Sequence, residues 1–225
     1  MDPSTTEPAA APGARIAVWD RPVRVVHWLL VLLVPLSWWT AEQEMLDWHQ
    51  RSGLALLGLV VFRIVWGLIG SSTARFASFV RGPGTILGYL RCRVGSPIGH
   101  NPLGALSVLA LLGALGLQIG LGLFAADEDW LWPGPLTGYI GGDLAEDIAE
   151  WHEWTFNLLL AVICLHVLAI AFYLLVKRRN LVRPMVTGIA EAPAGTAPMK
   201  SAGALRFCVA AAVGLGAVSL VWMQA

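Results

Sequence analysis

The chain has 225 residues, of which 56% are hydrophobic and 13% charged, and its formal net charge is zero. A soluble domain carries roughly 25% charged residues, so the composition excludes a soluble globular protein and points to one membrane bundle; no nucleic-acid partner is expected. Cys92, Cys164 and Cys208 form no Cys-x-x-Cys and no Cys-x-x-Cys-His, which argues against an iron–sulfur cluster, a zinc ribbon, a covalently attached c-type haem and a disulfide framework.

Residues 1–14, MDPSTTEPAAAPGA, form a Pro/Ala/Ser tail that is expected to be disordered and lacks the basic-then-apolar order of a signal peptide. Five apolar runs follow, near 22–40, 48–70, 101–125, 151–176 and 204–224. Each is long enough to cross a bilayer, which takes about 20 helical residues. At the start of the third, Asn101 is suited to cap the helix and Pro102 to its first position. A linker over 189–203, rich in Ala, Pro and Gly, precedes the fifth run. That run contains no histidine and is rich in small residues, as helix-packing segments often are. It reads as an accessory span, 204–225, rather than as part of a cofactor site.

Charge orients these spans. With a cytoplasmic N-terminus, the inside segments hold Arg15, Arg21, Arg24, Arg75, Arg81, Arg91, Arg93, Lys177, Arg178, Arg179, Arg183, Lys200 and Arg206, with Arg63 at the inner end of the second span. Only Arg51 falls outside, so the positive-inside rule predicts an inner-membrane protein with its C-terminus in the periplasm. The outer segments carry Glu42, Glu44, Asp47, Asp127, Glu128, Asp129, Asp143, Glu146, Asp147 and Glu150. Trp38, Trp39, Trp48, Trp130, Trp132, Trp151 and Trp154 gather at the same boundary, as an aromatic belt does.

Against that frame the histidines sort by depth. His152 and His166 are fourteen residues apart on one apolar span, which places them roughly 21 Å apart and nearly on one helix face. His49 opens the second span at the outer side and His27 lies near the inner end of the first. One iron cannot be reached by both histidines of the fourth span, so His49 with His152 is predicted to form an outer site, and His27 with His166 an inner one. A single membrane histidine often serves only to hydrogen-bond between helices, but paired imidazoles from facing helices suit an axially ligated haem iron. A zinc or non-haem iron site would require further ligands at the same level. Glu150 and Glu153 flank His152 and leave a surface zinc or copper site as the alternative there. Arg51 at the outer level, and Arg21, Arg24 and Arg63 at the inner, are expected to face haem propionates, with snorkelling to headgroups the competing role for Arg63 and Arg51. Gly53, Gly58, Gly67, Gly113, Gly116, Gly120 and Gly122 are expected to make room. His100 precedes a helix cap and reads as solvated or capping, with ligation of the inner iron as its competing role.

The segments VWDRPVRVVHW, WHQRSG with FRIVWG, GHNPLGALSV and WHEWTFNLLLAVICLHVLAIAFY resemble the bacterial cytochrome b561 family, which includes the b-type cytochrome subunits of nickel–iron hydrogenases. The resemblance runs from about Arg15 to Gly188. It implies a four-helix core binding two b haems non-covalently, with His27, His49, His152 and His166 as ligands and His100 without a ligand role. The expected fold is an all-α membrane protein, a four-helix transmembrane haem-binding bundle over 15–188 plus a fifth C-terminal transmembrane helix. The expected function is electron transfer between a periplasmic redox partner, such as a basic c-type cytochrome drawn to the acidic outer loops, and the membrane quinone pool. Two alternatives accompany it: a quinone-linked oxidase of a small periplasmic reductant such as superoxide, and a membrane anchor and relay subunit of a hydrogenase or molybdoenzyme. A transporter is disfavoured by the lack of an inverted repeat.

Overall fold

A computed structural model describes residues 14–91, 99, 101–126, 132–193 and 195–224. Residues 1–13, Cys92, Arg93, His100, Asp127, Glu128, Asp129 and Trp130 lie outside the described residues. The elements run β1 (Ala14–Ala17), α1 (Arg21–Glu42), α2 (Leu46–Ile69), α3 (Phe76–Phe79), α4 (Pro83–Leu90), α5 (Pro102–Gly122), a 3-10 turn (Thr137–Tyr139), α6 (Gly142–Leu175), α7 (Val182–Thr187), β2 (Ile189–Ala192) and α8 (Ala204–Trp222). Among them α1, α2, α5, α6 and α8 are long and apolar enough to cross a membrane, matching the five expected runs.

Local chemistry explains the helix starts. Asp20 Oδ1 accepts from Val23 N at 2.9 Å with Pro22 next in line, and Asn101 Oδ1 accepts from Gly104 N at 2.7 Å ahead of Pro102. Both are a capping side chain followed by a proline whose missing N–H costs nothing there. The fourth span begins at Gly142 rather than near 151. Its added turns bury Ala145 and Ile148 while Asp143, Asp147 and Glu150 stay exposed. Those acids lower the local hydropathy, so the span reads shorter than the helix.

The bundle is organised around α2, which packs on α1, α5 and, most extensively, α8. Glycine permits the α2–α8 approach: a Cβ on Gly214 would sit 2.8 Å from the carbonyl oxygen of Gly58. The fifth helix, α8, is thereby built into the bundle, and Phe207 packs edge-on to Phe62 and Trp66. In contrast, α6 packs closely only on α5 and meets α1 and α2 sparsely, so side chains span the space between them. At mid-depth Leu159 of α6, 2% exposed, joins Leu56 and Val60 of α2 and Leu115 and Ile119 of α5.

At the end opposite the α1–α2 turn, hereafter the inner end, part of the predicted linker is strand. β1 and β2 pair antiparallel, with Arg15 opposite Glu191, an arrangement that favours the pairing electrostatically. Gly188, at φ 82°, closes α7, and a Cβ there would lie 2.8 Å from the Trp19 carbonyl oxygen. The Gly188 carbonyl in turn accepts from Val18 N and Trp19 N at 2.8 and 3.2 Å. Lys200 N donates to Ser72 Oγ at 2.9 Å at this end, and Tyr139 donates to Gln224 Oε1 at 2.6 Å at the other, so the ends of α8 are tied at opposite ends of the bundle.

Candidate functional site

His49 lies in the first turn of α2 and His152 on α6, and their rings meet edge to face with centroids 6.1 Å apart. His49 Nδ1 is 2.8 Å from the Ser37 carbonyl oxygen, and His152 Nδ1 is 2.9 Å from that of Gln118. A carbonyl can only accept, so in each ring Nδ1 carries the proton and Nε2 keeps its lone pair. That is how proteins prepare an imidazole to ligate a metal. A haem iron held there would take its protein ligands from these two Nε2 atoms. At 6.1 Å between centroids the two rings are close enough to serve one metal centre.

Gln118 does more than orient His152. Its Nε2 donates to the His152 carbonyl at 2.9 Å and its Oε1 accepts from Thr155 Oγ1 at 2.6 Å. Gly122 lies against the same ring, and a Cβ there would come within 2.8 Å of His152 Cε1. On α2, a Cβ at Gly53 would meet nothing within 4 Å, leaving open space one turn beyond His49. The same holds for Gly113, Gly116 and Gly120.

At the inner level, His166 Nδ1 is 3.0 Å from Ser107 Oγ of α5. His27 packs edge-on against Trp28, and its Nδ1 is buried without a partner. His166 is near enough to His27 to act on it electrostatically. His152, Leu159, His166 and Tyr173 recur every seven residues along α6, so one helix stripe carries both imidazoles with the Leu159 layer between them. Among the described residues no three His, Cys, Asp or Glu side chains gather as a metal cluster. The donor set on offer at the outer level is a pair of imidazoles.

The arginines divide. Arg63, 7% exposed, donates to the Ala74 carbonyl at 3.4 Å and lies 5.2 Å from the Phe76 ring centroid. Asp20, whose Oδ2 accepts from Trp66 Nε1 at 2.9 Å, supplies a negative charge that Arg63 senses. Arg51 lies over the Trp48 ring at 5.4 Å on the outer rim. Arg21 and Arg24 line a groove on the outward side of α1. Ser37, Ser107, Gln118 and Asp20 escaped the reading of the chain. Ser107 and Gln118, polar positions inside an apolar run, were the visible signal for two of them.

Apolar helices that carry imidazoles at two levels, the outer two oriented by backbone carbonyls, are the equipment a membrane b-type cytochrome requires. The chain belongs to the prokaryotic cytochrome b561 family, whose family model matches residues 18–188. Membership implies b-type haem and a role in electron transfer. The match takes in α1, α2, α5 and α6 and ends before α8. No curated protein and no solved structure matches the chain.

Proposed function

We propose that the chain binds two b haems, one between His49 and His152 and one between His27 and His166, and passes electrons between a partner at the outer face and the membrane quinone pool. The observation that carries this reading is the outer pair of rings at 6.1 Å, each with Nδ1 held by a backbone carbonyl. A bound haem supplies reversible one-electron chemistry at its iron. The protein's share is orientation: Ser37 and Gln118 set the two outer imidazoles, and Ser107 sets His166. The Leu159 layer keeps the two levels apart and dry. Arg51 is the cationic side chain at the outer level for a propionate, and Arg63 the one at the inner.

Concentration of Arg and Lys at the inner end supports a bacterial inner-membrane location with that end in the cytoplasm. The outer end then faces the periplasm, where Asp143, Asp147 and Glu150 line the exposed side of the α6 extension above His152. Such a stripe favours a basic soluble c-type cytochrome as redox partner. A pyridine haemochrome assay on the purified protein tests the haem assignment. Wild type should hold two b haems per chain, and His152→Ala and His166→Ala one each. A single haem in wild type, or both lost in either variant while the other histidine pair is intact and the bundle folded, would refute the two-site arrangement.

A further inference from the structure

On the outward side of the inner end, α1 and α7 enclose a groove of about 480 Å³ with Arg21 and Arg24 at its mouth. Its floor descends α1 through Val25, Leu29 and Leu32, positions at the three- and four-residue intervals that define one helix face. Val23 and Val26, on the other side of the helix, are buried in the bundle. From Arg21 to Leu32 the helix rises roughly 16 Å, about half of the hydrocarbon thickness and so the depth of one leaflet.

The walls are held in place. Trp28 Nε1 donates to the Met185 carbonyl at 3.3 Å, and Arg24 Nη1 donates to that of Val186. The charge at the mouth is not spent inside the protein. Arg24 Nε is buried without a partner, and among the described residues neither Arg21 nor Arg24 forms an ion pair. The helix terminus itself is already capped by Asp20, so any anion here is held by the two guanidinium groups.

We infer that this groove is a binding site for an anionic phospholipid, its phosphate on Arg21 and Arg24 and one acyl chain along Val25, Leu29 and Leu32. Two cations over an apolar trough of leaflet depth complement the anionic headgroup and acyl chain of an anionic phospholipid. That the leaflet is the cytoplasmic one rests on the orientation proposed above; the selectivity for charge does not.

Full-length protein in neutral detergent, titrated with brominated phosphatidylglycerol or brominated phosphatidylcholine, tests it. Quenching at the groove is read as the difference between wild type and Trp28→Phe, since Trp28 lines it. At about fivefold per arginine near a membrane surface, phosphatidylglycerol should be preferred roughly thirtyfold. The Arg21→Gln/Arg24→Gln pair should abolish the preference and the Arg→Lys pair should keep it. Equal quenching of wild type by both lipids overturns the site and requires no variant to fold. So does a preference that survives the Gln pair, and haem loss in that pair with the preference intact would return both arginines to the cofactor.

Discussion

Gly122→Ala is the smallest change that should separate the two proposed haem levels. The added methyl would lie 2.8 Å from His152 Cε1 and 3.2 Å from its Nδ1, whereas carbon atoms pack best at about 3.5–4.0 Å. The imidazole must therefore retreat by roughly 0.7 Å or α5 must move away from α6. Retreat stretches the 2.9 Å bond from Nδ1 to the Gln118 carbonyl beyond useful length, at about 1 kcal/mol, and crowding adds about 1 kcal/mol or more. A penalty of about 2 kcal/mol weakens ligation at the outer level roughly thirtyfold, within the range found for groups that orient a metal ligand. Release of haem to an excess of apo-globin, followed by the Soret band, resolves the two levels. Half of the haem should leave roughly thirtyfold faster than in wild type, and the other half, which the proposed arrangement assigns to His27 and His166, at the wild-type rate. Two halves leaving together at the wild-type rate, with unshifted reduced-minus-oxidised spectra, would show that the Gly122 contact does not govern the His152 imidazole.

Three further substitutions probe the frame. Leu159→Ala opens a cavity at the 2%-exposed layer between the two levels, and a loss of about 3 kcal/mol is expected; an unchanged thermal midpoint in detergent would mean that the layer collapses around the gap. Asp20→Ala removes the α1 cap and the acceptor for Trp66 and should cost about 3 kcal/mol. Asp20→Asn, which can still cap through Oδ1, should recover part of that midpoint; identical midpoints for the two would rule the cap out as a contributor. Gly214→Leu drives a side chain into the Gly58 carbonyl and should free α8 for proteolysis while haem remains on the matched core. Equal protease resistance of variant and wild type would argue against glycine contact as the basis of α8 docking.

Much of the architecture was legible along the chain because a bilayer imposes local rules. A span must be apolar over about 20 residues, and five such runs match five helices. Asn101 and Pro102 announced a helix start that the structure contains. The start of α6 was misread for an equally local reason: its first turns alternate buried Ala145 and Ile148 with exposed acids, and an average over the window hides a half-buried helix. Lateral relations were not legible. Nothing in the spacing of glycines in α8 announces that Gly214 meets Gly58 rather than lipid, nor does the linker's composition announce a strand paired with Ala14–Ala17.

The histidines show where the division falls. Their depths follow from the sequence alone, because each helical residue adds a fixed rise and hydropathy marks where counting begins. Their readiness to ligate does not. It depends on Nδ1 of His49 reaching the Ser37 carbonyl and Nδ1 of His152 reaching that of Gln118, one across the α1–α2 contact and the other across α5–α6. Those bonds depend on the rotation and axial offset of one helix against the next. Offsets of that kind are set by which side chains interdigitate across the whole interface, and only the packed bundle determines them.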